Sequence, residues 1–222
     1  MEKYVLIVAG GKGLRMKSEL PKQFIEINNK PVLMHTFDAF SGIGNINNFI
    51  LILATEYIGY WEELCEKHCF KTEHTVIEGG PKRYHSVKRG LSLIPNNSLV
   101  AIHDAVRPVV SRNIIKNGFD IAARKGNAIP AVAINESIRK ISGSLNKSVN
   151  RERFKIVQTP QFFQSALIKR AYEQAFNEKF TDDANMLESL GKQIYLIEGD
   201  TKNIKITYPE DLVYAEYLLK SS

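Results

Sequence analysis

The chain has 222 residues, of which 44% are hydrophobic and 24% are charged, and this ordinary globular composition excludes a disordered, collagen-like or low-complexity protein. A chain of this length buries roughly 70% of the surface that its unfolded form exposes, so its core needs no disulfide or metal. The 30 Lys and Arg residues outnumber the 24 Asp and Glu residues, and the resulting net charge of +6 attracts phosphate groups.

Apolar runs of strand length alternate with longer amphipathic stretches along the chain. Strands are predicted at Tyr4–Ala9, Phe49–Ala54, Thr75–Ile77, Leu99–His103, Ala128–Ile134, Gln193–Ile197 and Asn203–Ile206. Helices are predicted at Tyr57–Phe70, Arg83–Leu93, Arg112–Lys125, Gln164–Asn177 and after the capping-box pattern Thr207-Tyr208-Pro209-Glu210. This alternation predicts an α/β fold, with one domain over residues 1–222 and a mostly parallel, Rossmann-like sheet that carries helices on both faces.

Residues 135–153 interrupt the alternation. Ile138 and Ile141 precede a Ser-Gly-Ser turn, and Leu145 and Val149 follow it, which predicts a projecting β-hairpin arm. A two-stranded hairpin cannot bury its own side chains and is marginal alone. We therefore expect the arm to pack against a second subunit and to form a homodimer.

The cysteines and the apolar runs predict the cellular location. Cys65 and Cys69 are too few for a disulfide framework and favour a reducing, cytoplasmic location. The opening apolar run ends at Gly10, which is too short for a secretion signal, and no run approaches the ~18 residues of a membrane span. The basic residues form no clustered stripe, so we expect neither a nucleic-acid partner nor a membrane partner.

A glycine-rich turn, Ala9-Gly10-Gly11-Lys12-Gly13-Leu14-Arg15-Met16, follows the first predicted strand. Glycines at such a turn let backbone amides approach an anion, although a purely structural turn is an equal alternative from this loop alone. The dinucleotide-binding pattern needs glycine where Met16 stands, and no Gly-Lys-Ser/Thr triplet of a P-loop is present. Arg15 and Lys22 add a guanidinium fork and a point charge, which together favour a triphosphate site.

Six segments occur in an order typical of one enzyme family. They are Gly10–Met16 with Pro21–Gln23, Gly79-Gly80 with Arg83 and Ser86-Val87, Ile102–Pro108, Val157–Phe162, Thr181–Ala184, and Asn203–Thr207 with Pro209–Leu212. In this order they resemble the 2-C-methyl-D-erythritol 4-phosphate cytidylyltransferases of the non-mevalonate isoprenoid pathway. One such motif is modest evidence, whereas six in order over nearly the whole chain are strong evidence.

The resemblance implies that a sugar-alcohol phosphate attacks the α-phosphorus of CTP and expels pyrophosphate, with Mg²⁺ as the divalent cofactor. A phosphate monoester has its second pKa near ~6 and is largely dianionic at pH 7, so the reaction needs no general base. The demand is electrostatic, because two anions must meet while charge builds up on the phosphate oxygens. By resemblance, the catalytic residues that meet this demand are Arg15, Lys22 and Lys205.

The other implied site residues fall into two groups. Those expected to bind CTP are Ala9, Gly10, Gly11, Gly13, Gly80, Ser86 and Ala105. Those expected to bind the polyol phosphate are Asp104, Arg107, Ser137, Arg151, Thr159 and Thr181. Mg²⁺ is expected mainly on the CTP phosphates, with Asp104 as an alternative ligand.

Three of these residues have a second interpretation. Asp104 follows a buried-looking strand at the end where parallel sheets bind ligands, but it could also pair with Arg107. Thr181 could cap the helix that begins at Asp182. Arg151 is implied to reach the substrate phosphate of the neighbouring subunit, whereas its own surroundings in the sequence indicate surface charge.

Three other functions are alternatives to the methylerythritol enzyme. Ribitol 5-phosphate cytidylyltransferases share most motifs, although the doubled acid Asp182-Asp183 and the segment Ala128-Ile129-Pro130 favour the methylerythritol enzyme. A catalytically silent nucleotide-binding regulator would be expected to lose its cations, yet all three catalytic cations are present. A nucleic-acid binder would need aromatic residues interleaved with its basic residues.

Overall fold

The computed structural model of the chain describes residues 1–10, 20–44 and 46–221. Within these ranges the strands are β1 (Lys3–Val8), β2 (Glu26–Ile27), β3 (Lys30–Pro31), β4 (Ile46–Leu53), β5 (Thr75–Glu78), β6 (Leu99–Asp104), β7 (Asn127–Ala133), β8 (Arg139–Ser142), β9 (Leu145–Ser148), β10 (Lys155–Val157), β11 (Gln161–Gln164) and β12 (Leu196–Glu198). The helices are α1 (Val32–Asp38), α2 (Ile58–Lys67), α3 (Arg83–Ser92), α4 (Arg112–Lys125), α5 (Ser165–Ala171), α6 (Asp183–Glu188) and α7 (Pro209–Lys220). None of these described helices is both long enough and apolar enough to cross a membrane.

The central sheet is mixed. Strand β1 lies between β6 and β4 and runs parallel to both, and β5 continues the parallel order beyond β4. On the other side of β6, β11 runs antiparallel between β6 and β7, and β10 also pairs antiparallel with β7, whereas β12 pairs parallel with it. The predicted α/β fold with a mostly parallel sheet is confirmed, while the antiparallel strands β10 and β11 were not predicted.

Helices cover both faces of the sheet because the side chains of β1 alternate between two cores. Val5 and Ile7 are buried with side chains from α1, α2 and α4, among them Trp61. Leu6 is buried on the opposite face with side chains from α3, α5 and α6, among them Ile168. Fully burying each large apolar side chain contributes about 1.5–3 kcal/mol, so both faces stabilise the sheet.

Helix α4 has the predicted bounds because both of its ends are fixed locally. The Ser111 hydroxyl accepts a hydrogen bond from the backbone N–H of Ile114 at 3.4 Å, which caps the first turn. Gly126 ends the helix at φ +95°, a left-handed conformation that favours glycine. Gly118 lets the helix lie close to β11, since a Cβ there would stand 2.2 Å from the ring of Phe162.

Two predicted elements are wrong. Residues 203–206 form no strand. Their backbone makes isolated hydrogen bonds, such as the one from the Ile206 N–H to the carbonyl of Val106 at 2.9 Å. The helix predicted over 164–177 ends at Ala171. It stops there because the Tyr84 hydroxyl shares its one proton between the carbonyls of Tyr172 at 3.1 Å and Gln174 at 2.5 Å, which turns the backbone towards α3.

The hairpin within residues 135–153 has the predicted form. Strands β8 and β9 pair antiparallel around Gly143, which takes a left-handed φ of +59° in the turn. Every residue of both strands is exposed, including Ile141 at 67% and Leu145 at 75%. Apolar side chains on a two-stranded arm are therefore left without cover in the single chain.

Candidate active site

The carboxyl ends of the central parallel strands converge at one edge of the sheet. Ala9 follows β1 and donates its N–H to the carbonyl of Ile52 at 2.9 Å, while Ala105 follows β6 and donates to the carbonyl of Val8 at 3.1 Å. Asp104 is the last residue of β6 and is itself buried. The predicted residues Ala9, Asp104 and Ala105 therefore lie where parallel sheets bind ligands.

The glycines predicted to bind the nucleotide surround one hydroxyl. Gly80 donates its N–H to the Ser86 Oγ at 3.0 Å, and a Cβ on Gly10 would stand 3.6 Å from the same oxygen. A Cβ on Gly80 would stand 2.3 Å from the Cβ of His85, so only glycine fits there. Gly10, Gly80 and Ser86 are thus brought together, whereas Gly11 and Gly13 lie outside the described residues.

Asp104 is surrounded by three cations. Its carboxylate lies 2.8 Å from the Lys205 Nζ, 3.6 Å from the Arg107 Nε and 3.9 Å from the Arg83 Nε. Burial disfavours the charged carboxylate, but these cations outweigh burial and hold the pKa of Asp104 well below its usual range. The predicted ion pair with Arg107 therefore exists alongside a closer one with Lys205, and Asp104 stays ionised at neutral pH.

A second carboxylate, Asp183, joins the start of α3 to the start of α6. Arg83 binds both of its oxygens, at 2.7 and 2.6 Å, and the Tyr172 hydroxyl donates to it as well. Burial alone would lower the pKa of Arg83, but the paired Asp183 carboxylate raises it above its usual value. This bidentate pair holds the N-terminus of α3 against the segment that contains Thr181.

Lys22 lies at the beginning of a short 3-10 turn and is only 9% exposed. Its Nζ donates to the backbone carbonyl of Ile206 at 2.7 Å, the residue that follows Lys205. Lys22 therefore contacts the backbone segment that carries Lys205, the second predicted catalytic lysine. Arg15, the third predicted catalytic residue, lies outside the described residues.

The hydrogen bonds of His103 fix its protonation. Its Nε2 lies 3.1 Å from the Arg107 carbonyl oxygen, which can only accept, so Nε2 carries the proton. Its Nδ1 lies 3.1 Å from the Thr159 Oγ1 and accepts from that hydroxyl. The same Oγ1 accepts the backbone N–H of Asp104 at 3.0 Å. The Thr159 hydroxyl, predicted to contact the polyol, therefore points its proton into the protein.

His103 makes folding sensitive to acid. Burial lowers the pKa of this fully buried imidazole to about 4, below the ~6.5 of an unfolded histidine. Between these values the unfolded chain binds one more proton, so stability is complete above pH ~6.5 and falls by about 1.4 kcal/mol per pH unit as pH approaches 4. We expect denaturant unfolding from pH 7.5 to 4 to show this loss in the wild type and a shallower one in His103→Asn. Parallel pH profiles for the two proteins would contradict the assignment.

The residues joined around Asp104 form one cluster, the Asp104 cluster: Arg83, His103, Asp104, Arg107, Thr159, Asp183, Asn203 and Lys205. Three predicted residues lie away from it. Ser137 and Arg151 are exposed on the arm segment, where Arg151 donates to the carbonyl of Asn135. Thr181 is exposed beside α6, and its prediction as the helix cap is wrong. Asp182 caps α6 instead, because its carboxylate accepts the N–H of Asn185 at 2.8 Å.

Four residues of the cluster were missing from the predicted site: Arg83, His103, Asp183 and Asn203. All four occur in the six family-like segments, His103 within Ile102–Pro108, so the motifs indicated the region. No local pattern could pair Arg83 with Asp183, because 100 positions separate them. Asn203 is fully buried and donates its side-chain amide to the Thr159 carbonyl at 2.9 Å.

The cluster does not suit a metal ion held by protein ligands. Among the described residues, no three His, Cys, Asp or Glu side chains are grouped so that they could hold one. Asp104, the predicted alternative ligand for Mg²⁺, already faces Lys205, Arg107 and Arg83. These three positive charges oppose the binding of a divalent cation to the Asp104 carboxylate.

The chain is similar to known proteins in both sequence and structure. The family model described as 2-C-methyl-D-erythritol 4-phosphate cytidylyltransferase matches residues 4–221. A protein of that name from Bacteroides fragilis is 49% identical, over 96% of this chain and 98% of its own, and one from Bacteroides thetaiotaomicron is 46% identical over 99% and 100%. The crystal structure of 2-C-methyl-D-erythritol 4-phosphate cytidylyltransferase from Thermus thermophilus is 31% identical, covers 99% of this chain and 100% of its own, and gives a TM-score of 0.80.

Proposed function

Because this chain belongs to the family of 2-C-methyl-D-erythritol 4-phosphate cytidylyltransferases, we propose that its reaction occurs at the Asp104 cluster and the glycine loops beside it. The enzyme transfers CMP from CTP to 2-C-methyl-D-erythritol 4-phosphate and releases pyrophosphate. These relatives do not support the ribitol phosphate enzyme or a silent regulator. One observation carries the site assignment: the Lys205 Nζ lies 2.8 Å from the Asp104 carboxylate at the end of β6. A carboxylate that can accept hydrogen bonds from the substrate hydroxyls thus lies beside an ammonium that can bind the substrate phosphate.

Charge balance supports this proposal. The cations Arg83, Arg107 and Lys205 face the carboxylates Asp104 and Asp183. Lys22 adds a fourth cation, which binds the backbone carbonyl of Ile206 beside Lys205. The excess positive charge attracts both the triphosphate and the dianionic polyol phosphate and stabilises the charge that develops at the α-phosphate. The Lys205 side chain is 43% exposed, so its ammonium can exchange Asp104 for an incoming phosphate. Asp104 then accepts hydrogen bonds from the hydroxyls of the polyol.

We propose that the loop from Gly80 to Ser86 recognises cytosine largely through backbone groups, because the Ser86 hydroxyl fixes its shape. With saturating polyol phosphate, we expect kcat/KM for CTP to exceed that for UTP or ATP by about a hundredfold or more, since an unpaired polar group in such a site is costly. Pyrophosphate release measured with each nucleotide gives the ratios.

Ser86→Ala should reduce this preference because the loop loses its internal acceptor, and Ser92→Ala, at the exposed end of α3, serves as the control. Equal use of CTP and UTP by the wild type would show that this loop does not recognise the base.

We propose that Mg²⁺ enters with the CTP phosphates rather than on a protein carboxylate. Asp104→Asn should therefore raise KM for the polyol phosphate about tenfold or more, since a charged hydrogen-bond acceptor is lost. The Mg²⁺ concentration that gives half-maximal rate should stay within about twofold of wild type, because the hard cation keeps its phosphate ligands. Steady-state titrations of the polyol phosphate and of Mg²⁺ measure both quantities. A Mg²⁺ requirement that rises while KM stays unchanged would make Asp104 a metal ligand after all.

We propose that the enzyme is a homodimer through the arm at residues 135–153. Its exposed apolar side chains continue onto the adjoining segment: Ile141, Leu145, Phe154, Ile156 and Val157. Monomeric proteins rarely leave such a patch in water, and a second copy of the arm across a twofold axis would cover it. Arg151 would then reach the substrate phosphate bound by the other subunit.

We also propose that the enzyme acts in the cytoplasm. Cys65 and Cys69 are both free, which is the state that a reducing compartment maintains. Burial raises the pKa of Cys65 to about 11, so this thiol is seldom a thiolate and reacts slowly with oxidants.

A further inference from the structure

We propose that His103 is a positioning residue for the substrate-binding face of the site, acting through a closed ring of four hydrogen-bonded residues. His103 is fully buried at the end of β6, directly before Asp104, and its two ring nitrogens are engaged on opposite sides. The inference rests on the proposed assignment of Asp104 and Arg107 to the polyol phosphate.

The ring runs in one direction from donor to acceptor. His103 Nε2–H donates to the Arg107 carbonyl at 3.1 Å, and the Arg107 Nη1 donates to the Asn203 carbonyl at 2.7 Å. The Asn203 side-chain amide donates to the Thr159 carbonyl at 2.9 Å, and the Thr159 hydroxyl donates to the His103 Nδ1 at 3.1 Å. Each member donates once to the next, so the ring closes only with a neutral His103 protonated at Nε2.

Three residues of the proposed site depend on this ring for their positions. The Asp104 N–H is bound by the Thr159 hydroxyl, and the Arg107 guanidinium is itself a member. Lys205 follows Asn203 by two residues along the same backbone segment, and its ammonium pairs with Asp104. His103 itself is proposed to touch neither substrate, but it fixes Asp104 and Arg107, which are proposed to bind the polyol phosphate. The glycine loops proposed to hold the cytosine of CTP contain no member of the ring.

Two substitutions open the ring at different points. In His103→Asn the amide oxygen stands near the original Nδ1 and still accepts from Thr159, but the Arg107 carbonyl loses its donor. In His103→Gln the amide nitrogen reaches the position of Nε2 and still donates to the Arg107 carbonyl, but the Thr159 hydroxyl loses its acceptor. For each variant we expect KM for the polyol phosphate to rise about tenfold, the effect of roughly one net hydrogen bond, and KM for CTP to stay within about twofold.

His74 provides a matched control. Its Nδ1 lies 2.7 Å from the Thr72 carbonyl and its Nε2 accepts from the Trp61 indole at 2.9 Å, so it too has both ring nitrogens engaged. His74 lies just before the amino end of β5, whereas the candidate site lies at the carboxyl ends of the parallel strands. His74→Asn and His74→Gln should lower thermal stability while both KM values stay at wild-type level, measured well below the unfolding temperature of every variant.

The outcomes separate the possibilities. If the His103 variants lose stability like the His74 variants but keep the wild-type KM for the polyol phosphate, the positioning role is overturned. If both KM values rise equally, the effect is general and the role is again overturned. If Asp104→Asn leaves the KM for the polyol phosphate unchanged, the proposed assignment of Asp104 to this substrate is wrong. If Asp104→Asn raises this KM while the His103 variants keep the wild-type value, the site assignment stands and only the positioning role of His103 is refuted.

A measurement on the wild-type enzyme covers the case in which neither His103 variant folds. ¹⁵N spectra of the imidazoles should show His103 protonated at Nε2 and unprotonated at Nδ1. Adding the polyol phosphate should shift the His103 ring resonances and leave those of His74 in place. A proton on Nδ1, or ring resonances that do not respond to the substrate, would overturn the proposal.

Discussion

We expect Lys22→Ala to lower kcat by about a hundredfold or more while the protein remains folded. Lys22 is almost fully buried beside the proposed phosphate site, and a fixed cation aimed at developing phosphate charge lowers the barrier by roughly 3 kcal/mol or more. The Lys22 ammonium also binds the Ile206 carbonyl next to Lys205. Its removal therefore deletes one cation and releases the backbone that positions the other. The measurement is single-turnover pyrophosphate release with saturating CTP and polyol phosphate.

Two further variants separate charge from position. Lys22→Gln retains a donor for the Ile206 carbonyl but lacks the charge, so it should remain nearly as slow as Lys22→Ala. Lys116→Ala removes an exposed lysine of α4 and should keep the wild-type rate. A folded Lys22→Ala enzyme with near-normal turnover would refute the catalytic assignment of this residue.

Mixing two inactive enzymes restores activity if Arg151 acts across the subunit interface. The parents are Lys22→Ala and Arg151→Ala, each with a defect in both sites of its own dimer. In a mixed dimer one site contains both defects and the other contains neither, so each mixed dimer regains about half of the wild-type activity. With free exchange at equal concentrations about half of the dimers are mixed, and the pool should reach about a quarter of wild-type activity.

The exchange itself needs an independent measurement. Subunits of different mass or with different fluorophores show when mixed dimers have formed, and a mixture of Lys22→Ala with Lys22→Ala,Arg151→Ala subunits should stay inactive. Confirmed exchange without recovered activity would mean that Arg151 serves its own chain, or that the arm is no interface. The contact between Arg151 and the Asn135 carbonyl would then be its working conformation.

Local rules predicted the elements whose ends are set locally. Helix α4 has its predicted bounds because Ser111 and Gly126 stand beside it in the sequence. The helix predicted over 164–177 is shorter because Tyr84, far away in the sequence, engages the backbone at Tyr172. Residues 203–206 have the composition of a strand, but their backbone bonds go to single partners such as the Val106 carbonyl rather than to a neighbouring strand.

The same division applies to the candidate site. Asp104 could be predicted from its position after a buried strand, and Lys22 and Lys205 from the resemblance of their motifs. The Arg83–Asp183 pair joins residues 100 positions apart, so only the fold shows that these charges neutralise each other. Thr159 was predicted as a polyol contact from the chemistry of its hydroxyl, but burial beside His103 gives that hydroxyl an internal partner.

The contact between Lys22 and the Ile206 carbonyl spans 184 positions, nearly the whole chain, and this separation has a consequence for how the enzyme matures. The entropic cost of closing a loop grows slowly with its length, and contacts of high sequence separation slow folding. A chain that ends before residue 205 has neither Lys205 nor the carbonyl that Lys22 binds, so the two lysines proposed as catalytic are brought together only once nearly the whole chain has been synthesised.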